Sequence, residues 1–150
     1  MEHLRFKLAK ESSFEISQED VQFFSESNIT HAEPITLVFL LDEEEIGFVK
    51  FEIKAINKNA YITYYVKRQH RGKGLGLVML KNALKFGFEE LNLNRITAEV
   101  YEYNTASNNV LLKLGFKEEG RLRKAKFHKS RFWDIIIYGL LNEEFKNFEV

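Results

Sequence analysis

Arg71-Gly72-Lys73-Gly74-Leu75-Gly76 decides how this chain is read. The stretch follows a β-like run, Ala60-Tyr61-Ile62-Thr63-Tyr64-Tyr65-Val66, and leads into a helical run over residues 77–91. Its three alternating glycines let the backbone come close to a ligand and take φ values that other residues resist. The helix behind it starts with unpaired N–H groups at the positive end of its dipole. Such a turn is a ready site for phosphate oxygens. Lys67, Arg68, Arg71 and Lys73 add positive charge beside it. The competing reading is a tight strand-to-helix turn with no ligand.

Two familiar phosphate motifs do not fit. A Walker A loop ends in Gly-Lys-Ser/Thr, whereas Gly72-Lys73 is followed by Gly74-Leu75, so the hydroxyl that would hold Mg²⁺ is missing. A Rossmann turn needs Gly-x-Gly-x-x-Gly after the first strand of a βαβ unit. Here the spacing is Gly-x-Gly-x-Gly, and several strand-like runs precede it.

Upstream, Leu4-Arg5-Phe6-Lys7-Leu8 alternates apolar and charged residues, the pattern of a half-buried strand. Ser17 is placed to cap a short helix carrying Val21 and Phe24, and Pro34 marks the end of that connector. An apolar strand over residues 36–41, a charged turn at 42–45, a return strand over 46–53 and a turn at 57–59 make an antiparallel meander. Downstream, Leu77, Leu80, Leu84, Phe88 and Leu91 recur at helical spacing. A strand over 95–103 puts Ile96, Ala98 and Val100 on one face. A short helix over 104–114 ends at Gly115. Two final strands, 116–127 and 132–140, are joined through Lys129 and Ser130, and a last helical turn is expected after Asn142.

With 150 residues, 45% hydrophobic and 29% charged, the chain reads as one globular domain over 1–150. No apolar run reaches membrane-spanning length. The N-terminus has no signal-peptide pattern, so a cytoplasmic setting is expected. The absence of cysteine excludes disulfides, a thiolate nucleophile and cysteine metal sites. The net charge is zero but uneven: residues 1–60 hold six Lys/Arg and twelve Asp/Glu, and residues 61–150 hold sixteen and ten. The basic part contains the glycine turn, as an anionic cofactor requires, while the acidic part suits a cationic substrate.

The turn resembles the acetyl-coenzyme A signature, Arg/Gln-x-x-Gly-x-Gly/Ala, of the GNAT family of N-acetyltransferases. A second match lies in Asn104-Thr105-Ala106-Ser107, continuing to Lys113-Leu114-Gly115-Phe116-Lys117-Glu118-Glu119-Gly120. It is similar to one branch of that family, which includes the ribosomal-protein N-terminal acetyltransferases and the spermidine acetyltransferases. The resemblance implies an α/β (α+β) fold: a mixed, mostly antiparallel sheet flanked by helices, with its central strands splayed apart. It implies a pantetheine arm in the splay beside Tyr65 and Val66. Arg71, Gly72, Lys73, Gly74, Leu75 and Gly76 would surround the pyrophosphate, Asn104 would contact the cofactor arm, and Ser107 would sit near the departing sulfur.

The implied reaction is direct attack of a primary amine on acetyl-CoA in a ternary complex. It needs a base, an oxyanion donor and an acid. By resemblance the oxyanion donor is the N–H of Val66 or a neighbour. Glu99, five residues before Asn104, is the candidate base, with Glu102 as local competitor; alternation puts Glu99 on the face opposite Ala98 and Val100. Two positions depart from the family's pattern. A tyrosine acid common seven residues after the asparagine is Leu111 here, and the strand before the turn carries Tyr61 and Thr63 but no glutamate. Ser107 is left as the candidate acid, against a plain helix-start hydrogen bond. His128 is a further possible base. Tyr64, Tyr65 and Tyr103 are expected as packing or substrate walls, and Phe132 and Trp133 as core or interface.

The alternative function is a non-catalytic acyl-CoA-binding or regulatory module of the same fold. Nucleic-acid binding through Arg121-Leu122-Arg123-Lys124-Ala125-Lys126 is disfavoured on a neutral chain without stacking spacing, so no nucleic acid and no membrane is expected as a partner. The acceptor is open between a peptide N-terminus, a polyamine and another small amine. Residues 9–34 are short for an acceptor wall, which suits an open groove or closure by a homodimer partner.

Overall fold

The computed structural model describes residues 3–9 and 32–148. The strands are β1 (Leu4–Ala9), β2 (Ala32–Leu41), β3 (Glu44–Lys54), β4 (Asn59–Val66), β5 (Arg95–Tyr101), β6 (Lys117–His128) and β7 (Arg131–Leu141). The helices are α1 (Leu75–Glu89), α2 (Thr105–Lys113) and α3 (Asn142–Phe148), with a short 3₁₀ turn at Arg68–His70. The strands form one sheet in the order β1-β2-β3-β4-β5-β7-β6. Every neighbouring pair is antiparallel except β4 and β5, which are parallel. This is the mixed, mostly antiparallel α/β sheet that the family resemblance implies. The short helix expected around Ser17, Val21 and Phe24 lies outside the described residues.

Alternation decides which side of the sheet each residue serves. Ala60, Ile62 and Val66 of β4 and Ile96, Ala98 and Val100 of β5 are buried on one face. α1 covers that face with Leu75, Met79, Leu80, Ala83, Leu84 and Phe88, all buried. Each large apolar side chain removed from water here is worth about 1.5–3 kcal/mol. α1 lies close to the sheet at Gly87, where an added Cβ would stand 3.0 Å from Phe51 and 3.2 Å from Ile96. α2 docks on the same side, with the Tyr138 hydroxyl of β7 donating to Asn108 Oδ1 at 2.5 Å.

The central pair is splayed. β4 and β5 are in register only at Asn59↔Arg95, Ala60↔Ile96 and Tyr61↔Thr97. Both strands continue past that point, β4 to Val66 and β5 to Tyr101, without pairing to each other. A wedge therefore opens between them toward the end of the sheet where the glycine turn and α2 begin.

Several boundaries differ from the sequence reading. Pro34 does not end a connector; it lies within β2, opposite Glu52. Among the described residues the β1–β2 pairing runs from Thr36 onward, so Pro34 precedes it and pairs with β3 alone. α1 starts at Leu75 rather than 77 and ends at Glu89, because Gly74, at φ +76°, already serves as its N-cap. β5 ends at Tyr101, not 103: the Asn104 N–H turns back to the Tyr101 carbonyl at 2.9 Å. The register of β5 with β7 has no shift, so the alternation that separates Glu99 from Ala98 and Val100 holds.

Candidate active site

The glycine turn leaves room for an anion. Gly72 and Gly74 adopt φ of +78° and +76°, and nothing lies within 4 Å of where a Cβ would project from either. α1 begins with no side-chain cap and no acidic residue in its first turn. Its leading N–H groups therefore remain available to a bound acceptor. Arg71 closes the turn: its Nε donates to the Val66 carbonyl at 2.8 Å, and its guanidinium lies 5.3 Å from the centre of the Tyr65 ring. Tyr65 itself is exposed and stacks on Phe48. Lys73 is exposed beside the turn.

A cavity of about 700 Å³ runs from this turn to α2. Tyr65, Val66, Arg71, Gly72, Gly74, Leu75, Gly76, Asn104 and Ser107 all contribute to its walls. Of the residues expected to hold a cofactor, Lys73 alone is outside this lining. The Val66 amide faces the wedge. Lys67 N–H bonds to Ile46 on β3 at 2.8 Å, so the residue before it turns its backbone the other way.

Asn104 and Ser107 are tied to each other. Asn104 is the N-cap of α2, and its Oδ1 accepts from the Ser107 N–H at 3.2 Å. The Ser107 hydroxyl is thereby left free of capping. It accepts instead from the Tyr64 hydroxyl at 2.9 Å, across the wedge between β4 and α2. Ser107 is only 7% exposed. Burial pushes the Tyr64 phenol up from its ordinary value, with the bond to Ser107 opposing that shift.

A second cavity, of about 440 Å³, shares Tyr64, Asn104 and Ser107 with the first and passes through the wedge to the other face of the sheet. On the helix side it is walled by Ile62, Ala98, Val100 and Leu111. On the far side it meets Glu52, Tyr61, Thr63, Glu99 and Tyr101. Glu99 is exposed there. The glycine turn with Arg71 and the carboxylate side chains thus lie at opposite ends of two connected cavities.

Two lining residues escaped the sequence reading. Glu52 lies on β3 opposite Tyr61, so the carboxylate absent from β4 arrives from its neighbour. Only the β3–β4 register could have revealed it. Tyr64, read as a wall, makes the polar link described above; a tyrosine on the inner face of an unpaired strand end was its only sequence signal. The other candidates fall away from the cleft. Glu102 lies beyond β5, where Oε1 accepts from the Asp134 N–H and Oε2 approaches Arg121. His128 stacks on Tyr103 at 4.1 Å, and Trp133 packs edge-on against that ring. Phe132 is not core; it is 58% exposed beside Phe127. Among the described residues no helix is long and apolar enough to cross a membrane.

The comparisons agree with this geometry. Residues 4–117 match the profile of the acetyltransferase (GNAT) domain. The SPbeta prophage-derived uncharacterized N-acetyltransferase YokL of Bacillus subtilis is 40% identical over 91 residues, which are 59% of this chain and 51% of that protein. The ribosomal-protein-serine acetyltransferase of Escherichia coli is 29% identical over 81% of this chain and 70% of its own. This chain spans little more than half the length of the first of these relatives. A dodecameric structure of spermidine N-acetyltransferase from Vibrio cholerae superposes with a TM-score of 0.79 at 21% identity, covering 98% of each chain, and so shares the fold.

Proposed function

The chain belongs to the GNAT acetyltransferase family, and on that premise we propose that it transfers the acetyl group of acetyl-CoA to a primary amine by direct attack. The observation that carries the reading is the passage through the sheet. The glycine turn lines its helix side, and two carboxylates line the other side.

The residues present fit the coenzyme. The uncapped start of α1 and the open faces of Gly72 and Gly74 suit its pyrophosphate, with Arg71 and Lys73 adding charge. The unpaired edge of β4 at Tyr64 and Val66 suits an amide-bearing arm, because an exposed strand edge offers backbone groups to an extended partner. Bound acetyl-CoA would supply the activated acyl carbon. The rest is the work of this chain. The Val66 amide is placed to donate to a negatively charged oxygen in the wedge. Glu99, exposed on the far side, takes the proton from the amine. Asn104 holds the start of α2 so that Ser107 faces the cleft.

The acceptor is a cationic amine in this reading, because the carboxylates of Glu52 and Glu99 both line the far mouth of the passage. A peptide N-terminus and a polyamine both qualify, as the names of the relatives suggest. An adjoining copy of the chain closing the acceptor side is part of the proposal, and a cytoplasmic setting goes with it.

A non-catalytic coenzyme A-binding module is the second reading. It is favoured by Leu111, which is apolar and 1% exposed where a catalytic tyrosine is expected. Thiol release from acetyl-CoA separates the two. Spermidine, a seryl-terminated peptide and an amino sugar are offered in turn. Amine-dependent release is expected for at least one; tight binding with no release for any amine supports the module instead.

A further inference from the structure

Tyr64 occupies a position that wall packing does not explain. It projects from the helix face of β4 between Ile62 and Val66, at the level where β4 has lost its β5 partner. Gly76 brings α1 against its ring; a Cβ added there would sit 3.4 Å from Tyr64 Cε2. Its hydroxyl emerges inside the cleft and donates to Ser107 Oγ. A hydroxyl has one hydrogen to give. Since Ser107 accepts from Tyr64, its own hydrogen is left to point at a third group, and its amide is already held by Asn104. Tyr64, Ser107 and Leu111 line the same cavity. The phenol therefore enters from the strand side of the cleft, opposite the helix position that Leu111 leaves without chemistry.

We propose that Tyr64 and Ser107 form a proton-delivery pair for the leaving sulfur, with Tyr64 Oη as the source and Ser107 Oγ as the relay. The inference rests on the acetyl-transfer reading. In the step, the bond from the acceptor nitrogen to the acyl carbon forms and the bond from that carbon to sulfur breaks. Ser107 gives its hydrogen to the sulfur and takes the phenolic hydrogen of Tyr64. Tyr64 becomes a phenolate and regains a proton from solvent through the open cleft; the ammonium acceptor sheds one proton before attack and a second as the amide forms, and both pass through Glu99 to solvent. Burial favours the neutral phenol, the form that can donate.

The test uses the full chain with whichever of spermidine, the seryl peptide or the amino sugar turns over fastest. kcat and the acetyl-CoA Kd are measured for wild type, Tyr64→Phe, Ser107→Ala and the double variant. Each single change should lower kcat on the order of 10²-fold, as loss of a general acid does, with Kd held within about twofold. The double variant should be no worse than about twofold beyond the weaker single, because the two act in series. A readout without turnover accompanies this: 3-fluorotyrosine at position 64 should show a ¹⁹F resonance that moves when Ser107 is replaced by Ala in the ligand-free protein. A Tyr64→Phe variant with wild-type kcat overturns the proposal. So does one whose Kd rises as far as kcat/KM falls, since that marks a wall. If Tyr64→Phe does not fold, the fluorotyrosine protein decides: its more acidic phenol should change kcat, and an unchanged kcat counts against the pair. Wild type that binds acetyl-CoA but turns over no amine removes the transferase reading and this inference together. Active wild type with an indifferent Tyr64 removes the inference alone.

Discussion

A carboxylate that takes a proton from an ammonium must stand within hydrogen-bond reach of it and stay ionised. Glu99 on β5 and Glu52 on β3 both line the far mouth of the cleft, but they enter from different strands. Glu99 sits on the strand that diverges at the wedge, closer in sequence to Asn104 and Ser107. Glu99→Gln should lower kcat on the order of 10²-fold while the acetyl-CoA Kd stays the same. Glu52→Gln should raise the KM for the amine and spare kcat. Steady-state kinetics with one amine distinguishes them, and the reverse pattern would assign the base to Glu52. Asn104 acts through another residue. Its side chain caps α2 at Ser107, and removing such a cap costs about 1 kcal/mol. Asn104→Ala should lower Tm by about 2–4 °C and lower kcat through a displaced Ser107. Asn104→Asp, which keeps the capping oxygen, should restore Tm; failure to do so would detach stability from the cap.

The turn between β4 and α1 works because two of its residues are glycines with φ above +70°. Gly74→Asp puts an L side chain in the left-handed region and a negative charge where phosphate oxygens are expected. The coenzyme A Kd should rise by at least about tenfold, or about 1.4 kcal/mol. Gly74→Ala, which brings the strain without the charge, should lose less in the same titration. The β6–β7 hairpin puts residues other than glycine in the same left-handed region. Lys129 and Ser130 have φ of +50° and +63° in a two-residue turn between His128 and Arg131. Asn-Gly suits that geometry. Lys129→Asn with Ser130→Gly should add about 1 kcal/mol, since left-handed residues cost about 1–2 kcal/mol each. Thermal melting should then show Tm up by about 2–4 °C. These elements also mark the limits of the sequence reading. Strands with clean alternation, such as β5, were legible in type and facing. Their ends were not: α1 begins inside the glycine motif because Gly74 is its cap, and β5 stops early because Asn104 folds back on Tyr101. Ser107 could be found from its spacing to Asn104 within one helix. Tyr64 and Glu52 could not, because strand register and helix docking bring them to the cleft, and neither leaves a periodic trace in the chain.

At the scale of the molecule, the sheet is continuous except along one seam. β4 and β5 share three register pairs and then part, so the two halves of the sheet are joined there by few backbone bonds. Among the described residues, the Tyr64–Ser107 hydrogen bond links side chains across the opening. A ligand that lays an extended, amide-bearing arm along β4 and anchors phosphate on α1 would bridge the seam and stabilise the folded state by mass action. At a concentration of 100 times its Kd that linkage is worth about 2.7 kcal/mol. For a chain of this size each kcal/mol moves Tm by about 2–4 °C, which gives a rise of about 5–11 °C. Coenzyme A should produce that shift, and 3′-dephospho-coenzyme A should retain most of it, because the turn is read as a pyrophosphate site. Pantetheine, which has the arm and no phosphate, should give little shift at the same concentration. If pantetheine matched coenzyme A, the stabilisation would come from the seam alone and the glycine turn would have no part in it. If neither moved Tm, the wedge between β4 and β5 would have lost its claim to be the donor site.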